Sequence, residues 1–233
     1  TKACSLAQQL VDRHPNITAC KFILGQARHI FGNALLAGKL LSMSDIQLKQ
    51  ALSIRESLAR EQPEFLDHKG DLAATCHSLG ELAVLQSNLK AASDYLDRAI
   101  ATRRQLLESN PRREQWKNGL ARSYAAIAHV EKLNRNLKSA TELLNSAITL
   151  HAELQRDNAS ANLYRSHLGS DYFQLGLLLF EQGKIDAADE SFQQAERWQA
   201  SLVDENPQIV SYEEAHKKTR LHRATLRLLL GGW

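Results

Sequence analysis

Chain breakers are scarce in this sequence. Its 233 residues include only 4 Pro and 11 Gly, about half the ~12% usual for globular proteins. Strands joined by many tight turns need more, so an all-β sandwich is excluded, together with collagen-like and Pro- or Gly-rich disordered chains. Long apolar runs are also missing. The longest near the middle, Leu177-Leu178-Leu179-Phe180, falls far short of the ~18 residues of a membrane span. Charge is not biased to one sign: 29 Lys+Arg against 26 Asp+Glu give +3, too little to argue for a nucleic-acid or membrane partner. The three cysteines, Cys4, Cys20 and Cys76, are an odd number at no metal-type spacing, which argues against a disulfide framework or zinc site. A reduced, cytoplasmic setting is expected. No signal-peptide pattern opens the chain, and without an initiator Met the expectation is an excised or processed piece.

The few prolines share one position. Pro15, Pro63 and Pro111 are evenly spaced at a 48-residue period, and Pro207 falls two periods further on, with Ala159 at the skipped place. Other columns agree. Ala3, Ala51, Ala99, Ala147 and Ala195 form one, and Leu10, Leu58, Leu106, Leu154 and Leu202 another. Gly32, Gly80, Ala128 and Gly176 form a column of small residues. Such a period is the mark of a repeat architecture.

Within a unit the apolar spacing is helical. Leu72, Cys76, Leu79 and Ala83 follow i, i+4, i+7, i+11, and Leu89, Ala92, Leu96, Ala99 and Leu106 mark a second amphipathic helix. Each unit is therefore read as a hairpin of a first helix (A) and a second helix (B), each roughly 20 residues long. A helices are expected from about residues 16, 64, 112, 160 and 208, and B helices from about 42, 90, 138 and 186. Asn110-Pro111 and Asn206-Pro207 read as an N-cap followed by Pro at the first helical position. Asn88 and Gly183 read as the stops of A helices. Hairpins that touch only their neighbours stack into a solenoid.

The residues Leu79-Gly80, Ala92, Leu96 and Ala99 resemble the tetratricopeptide pattern. So do Ile127-Ala128, Ala140, Leu144 and Ala147, and Leu175-Gly176, Ala188, Phe192 and Ala195, with Tyr124 and Tyr172 at the usual aromatic position. The 48-residue unit is longer than the usual one of about 34 residues, and this long form resembles the carboxyl-terminal arrays of certain bacterial serine/threonine protein kinases. No kinase motif is present in this chain. The implied fold is an all-α, right-handed α-solenoid over residues 1–233. It comprises a truncated helix B at 1–15, repeats at 16–63, 64–111, 112–159 and 160–207, and a capping helix at 208–233.

The ends read differently. The columns holding Leu168, Tyr172, Leu175 and Leu179 become His216, Arg220, Arg223 and Arg227 in the last helix, a stripe turned polar as a terminal repeat requires. At the other end Ala3, Leu6 and Leu10 keep the buried pattern. The expectation is a natural carboxyl end near Trp233 and a chain that continues upstream of Thr1.

Candidate chemistry is thin. His77 and Glu81, with His29 and His129 in neighbouring helices, could be drawn together around zinc, but polar groove residues are the preferred reading, and no metal or cofactor is expected. Arg103, Arg104, Arg112, Arg113, Lys117 and Arg122 surround Trp116, an interleaving that nucleic-acid binders use. Glu108 and Glu114 interrupt it, so a solvated face is expected and no nucleic-acid partner. Cys4 and Cys20 lie too far along their helices to pair. With no nucleophile elbow, P-loop or Rossmann fingerprint, the chain reads as a non-enzyme.

The resemblance implies a groove lined by helix A residues that binds extended peptides. The corresponding positions are Gln26, His29, Asn33 and Leu36, then Ala74, His77, Glu81 and Val84, then Arg122, Ala125, His129 and Lys132, and last Ser170, Phe173, Leu177 and Phe180. The expected partner is a peptide or helix of another protein, with Phe173, Leu177 and Phe180 as apolar anchor and Arg122, His129 and Lys132 favouring an acidic flank. The alternative is a sensor of a small molecule or signalling peptide that relays a shape change to an upstream catalytic domain. Self-association through the truncated amino-terminal helix is a further possibility.

Overall fold

The period sets the secondary structure almost to the residue. In a computed structural model of the chain, which describes residues 2–229, ten helices follow one another: α1 (Lys2–Arg13), α2 (Thr18–Ala37), α3 (Leu41–Glu61), α4 (Leu66–Leu85), α5 (Leu89–Ser109), α6 (Glu114–Leu133), α7 (Leu137–Asp157), α8 (Asn162–Glu181), α9 (Ile185–Glu205) and α10 (Val210–Leu229). Trp233 lies outside the described residues. Even-numbered helices from α2 onward are the A helices, and odd-numbered ones the B helices. The chain divides into two compact units, Thr1–Ala126 and Ile127–Trp233. In the first, α2 packs on α3 and α4 on α5, with α3 against α4 and α1 against α2. In the second, α7 packs on α8, α8 on α9, and α9 on α10.

The proline column does a different job from the one expected. Each A helix starts two positions later than anticipated, because Pro15, Pro63, Pro111 and Pro207 precede the helix and occupy the second position of a turn. In that turn Ile17 N–H bonds His14 C=O, Phe65 bonds Gln62, Arg113 bonds Asn110 and Ile209 bonds Asn206, at 3.0–3.2 Å. Proline's fixed φ suits this position of a type I turn, and it drives the preceding residue out of the helical region. Gln62, Asn110 and Asn206 leave the helical region, at φ −133°, −144° and −137°, and Asn158 does so before Ala159 at −136°, so the turn suits proline without requiring it. Asn110 and Asn206 therefore close B helices; they do not cap A helices.

The other corner is a repeated Schellman motif. Lys39, Ser87, Arg135 and Gly183, one per unit, adopt φ of 58°, 59°, 65° and 73°. Each is followed by a residue whose N–H reaches back to the last turn, as Asn88 does to Ala83 and Lys184 to Leu179. Gly183 is the expected stop. Asn88 is not the left-handed residue; its side chain accepts from Ala91 N–H and caps α5.

Burial follows the columns. Ala51, Ala99, Ala147 and Ala195 are fully buried, and Leu58, Leu106, Leu154 and Leu202 nearly so. Gly80 lets helices close up: a Cβ there would lie 2.6 Å from Leu96 Cγ, as one at Gly176 would lie 2.7 Å from Phe192. The columns fail in α1, where Ala3, Leu6 and Leu10 are exposed and Cys4 and Ala7 are buried instead. Among the described residues no preceding A helix lies against α1 to cover them. All three thiols are buried and none is in a disulfide.

Candidate functional site

In the first unit, neighbouring A helices meet so that residue i faces residue i+46, and this register organises the predicted site. His29 on α2 bonds Thr75 on α4 (Nδ1 to Oγ1, 3.5 Å). His77 on α4 bonds Ser123 on α6 (Nδ1 to Oγ, 3.1 Å). Each hydroxyl is also held from below by a buried arginine of the intervening B helix. Arg55 donates to Thr75 Oγ1 and Asp71 C=O at 2.7 and 2.8 Å. Arg103 donates to Ser123 Oγ and Gly119 C=O at 2.5 and 2.8 Å. The same motif of arginine, hydroxyl and histidine thus occurs twice, one period apart.

The upper ends of the two chains differ. His29 Nε2 meets Asn33 Nδ2 at 3.1 Å, whereas His77 Nε2 lies 3.4 Å from Glu81 and 3.3 Å from Arg122. Gln26 Oε1 reaches Arg55 at 3.4 Å. Burial, reinforced by Arg55, His77, Arg122 and Arg103, pushes the His29 imidazole down to about 3, and burial lowers His77 as well, against the pull of Glu81. Both rings are neutral at physiological pH. Burial would raise the Glu81 carboxyl, but His77, Arg122 and Arg103 together hold it below its ordinary value. Gln26, His29, Asn33, His77, Glu81 and Arg122 therefore form one polar neighbourhood. Gln26 and Arg122 are exposed, while His77 is buried at 3% exposure and offers no surface to a ligand.

The second unit places its predicted residues unevenly. His129 and Ser170 are exposed. Lys132 is committed to Glu181 at 2.6 Å. Phe173, expected as a groove anchor, is core: it is 6% exposed, with His222 edge-on at 5.2 Å, Phe192 at 5.8 Å and the Lys218 ammonium over its ring at 5.0 Å. The helix that covers it is α10. Leu177 and the exposed Phe180 do line an apolar cleft of about 210 Å³, with Phe192, Leu221, Thr225 and Leu226.

The basic cluster is largely a solvated face, with Arg104, Arg112, Arg113 and Arg122 exposed, but two of its members turn inward. Arg103 and Trp116 are buried, Arg104 donates to Tyr124 Oη at 2.7 Å, and Arg113 pairs with Asp67 while stacking on Trp116. Among the described residues, no group of three or more His, Cys, Asp or Glu is placed to hold a metal ion, and no helix is long and apolar enough to cross a membrane.

Reading apolar columns alone missed the polar ones. Arg55, Arg103, His151 and Gln199 share one column and are all buried, as are Thr75, Ser123, Asp171 and Thr219 in a second. In the second unit the pair is His151 and Asp171, whose Nδ1 and Oδ2 are 2.7 Å apart. The shared period was the available signal.

Residues 172–201 match the family model of the tetratricopeptide repeat. Among solved structures, BtubC (BKLC) from P. vanneervenii is similar over 100% of this chain and 89% of its own, with a TM-score of 0.63 at 14% identity. TTC0263, a thermophilic TPR protein in Thermus thermophilus, aligns over 94% of this chain and 89% of its own, with a TM-score of 0.49 at 16% identity. No curated protein matches in sequence. The fold is an all-helical, tetratricopeptide-like array of paired antiparallel helices.

Proposed function

We propose that the chain is a protein–protein interaction module that takes a peptide or partner helix on its A-helix surfaces, anchored at the cleft of Leu177 and Phe180. The observation that supports this most is Phe180. It is a large aromatic, 40% exposed, at the rim of an apolar cleft, where a partner's side chain would remove both surfaces from water. The 48-residue unit is what supports placing the module within a larger signalling protein such as a serine/threonine kinase.

The test is selection of peptides from a displayed random library on the purified chain, followed by titration of the winners. Phe180→Ala should weaken them at least tenfold while leaving the thermal midpoint nearly unchanged. Equal binding by the variant would overturn the assignment of the anchor.

A further inference from the structure

The last A helix retains a socket for a helix that does not follow it among the described residues. In the first four units the small-residue column, Gly32, Gly80, Ala128 and Gly176, is buried, and large side chains of the next B helix press on three of them: Leu48, Leu96 and Phe192. The fifth member of this column is Ala224. It is equally small, yet exposed, at the floor of a groove of about 500 Å³ bounded by Lys217, Arg220, Arg223, Arg227 and Glu196.

The walls of this groove are basic beyond what the chain itself neutralises. Two carboxylates of α9, Asp189 and Glu196, serve three guanidiniums, and Arg223 donates the best-formed hydrogen bonds to both, at 2.8 Å each. Arg220 is left 3.8 Å from Glu196 and Arg227 3.4 Å from Asp189, with 67% and 54% of their side chains exposed. Lys217 pairs with Glu213 along its own helix, and His216 lies 4.0 Å from Glu196.

The first hairpin shows what an arginine in this column does when a B helix is present. Arg28 is the counterpart of Arg220, four periods earlier. Its Nη1 donates to Gln47 Oε1 at 3.0 Å and Gln50 Oε1 at 2.5 Å on α3. Those two acceptors flank Leu48, the side chain that presses on Gly32. An occupant of the α10 groove would set acceptors against Arg220 in the same way, one turn apart around a large apolar residue. Facing two under-neutralised guanidiniums, those acceptors are best supplied as carboxylates.

We propose that the Ala224 face of α10 docks an acidic amphipathic helix of a partner protein, in the place a B helix takes in each complete hairpin. The recognition element is an acid–Leu–x–acid–Ala segment, the pattern of Gln47-Leu48-Lys49-Gln50-Ala51 with carboxylates for the two amides. This surface borders the Phe180 cleft, with which it shares Leu221, but Phe180 itself does not line it.

The probe is a fluorescent peptide of residues Leu41–Glu61 carrying Gln47→Glu and Gln50→Glu. A lactam between Asp45 and Lys49, already an i, i+4 ion pair at 2.7 Å, holds it helical. Titrated with the full chain, it should bind at least tenfold more tightly than the same peptide with both glutamines retained, and weaken as salt is raised. Ala224→Leu, which fills the socket, and the pair Arg220→Glu with Arg227→Glu should each cost at least tenfold. Because all three positions are exposed, circular dichroism and the thermal midpoint should stay unchanged. Phe180→Ala should leave this binding intact. No binding of the glutamate peptide would overturn the proposal, as would binding indifferent to Ala224→Leu. Concentration-dependent dimerisation of the native chain that Ala224→Leu abolishes would overturn it too, by giving the face to a second copy.

Discussion

His151 Nδ1 and Asp171 Oδ2 are hydrogen-bonded over 2.7 Å in the interior of the second unit, the place where the first unit sets Arg55 against Thr75 and Arg103 against Ser123. One structural position is thus filled by two chemistries: a cation on a hydroxyl and a carbonyl, or an imidazole on a carboxylate. Burial raises the Asp171 carboxyl despite the histidine, so the pair depends on its hydrogen bond. Asp171→Ala should cost about 1–3 kcal/mol, since it removes a buried hydrogen bond. Urea denaturation of the single and double variants with His151→Ala would show it as a coupling between the two sites.

Acid should weaken the first unit. His29 is depressed to about 3 in the fold and has an unfolded value near 6.5; His77 is also lowered. The unfolded chain therefore binds more protons between those values, and stability present above pH 6.5 is lost as pH falls toward 3. Each group contributes a slope of at most about 1.4 kcal/mol per pH unit. Urea midpoints measured from pH 7 to pH 4 should fall, and His29→Gln should flatten the dependence. An identical slope in the variant would remove His29 from this account.

The left-handed corner predicts changes of opposite sign within one column. Gly183→Ala should cost about 1 kcal/mol, because a Cβ is strained at φ 73°. Ser87→Gly should gain up to about 1 kcal/mol by relieving the same strain at φ 59°. Thermal midpoints of the two variants provide the comparison.

Gly80 makes a packing prediction. Its added Cβ would meet Leu96 Cγ at 2.6 Å and Cδ2 at 2.8 Å, so Gly80→Ala should cost about 1–3 kcal/mol. A compensating Leu96→Val should recover part of the loss in the same denaturation experiment.

Phe173 and Phe180 should separate stability from recognition. Phe173→Ala removes a buried ring and should cost about 3–5 kcal/mol, whereas Phe180→Ala should stay within about 1 kcal/mol. Guanidinium denaturation of the two single variants distinguishes them.

The hairpins were legible because burial repeats with the chain: a column buried in one unit is buried in the next, and Ala51 or Leu58 announces Ala147 or Leu154. Helix starts were displaced because Asn-Pro serves two structures, an N-cap with Pro at the first helical position and a turn with Pro second; only the turn satisfies Arg113 N–H through Asn110 C=O. Phe173 and His77 were legible as A-helix residues of one column but not as buried ones. That column faces the groove and also the next A helix, so its exposure depends on what the neighbouring helix places there. For His77 the neighbour is Ser123, and for Phe173 the covering helix α10 brings His222 and Lys218. Arg55 and Arg103 escaped because charged residues are usually read as surface, and nothing in their identity shows that Thr75, Ser123 and two backbone carbonyls await them.

The buried thiols make the chain its own clock. Cys76 is fully enclosed in the second hairpin, and burial pushes its thiol up to about 11, leaving almost no thiolate at neutral pH. Alkylation must then wait for α4 and α5 to part. In a variant lacking Cys4 and Cys20, the labelling rate at Cys76 would time the opening of a single repeat, with no added probe.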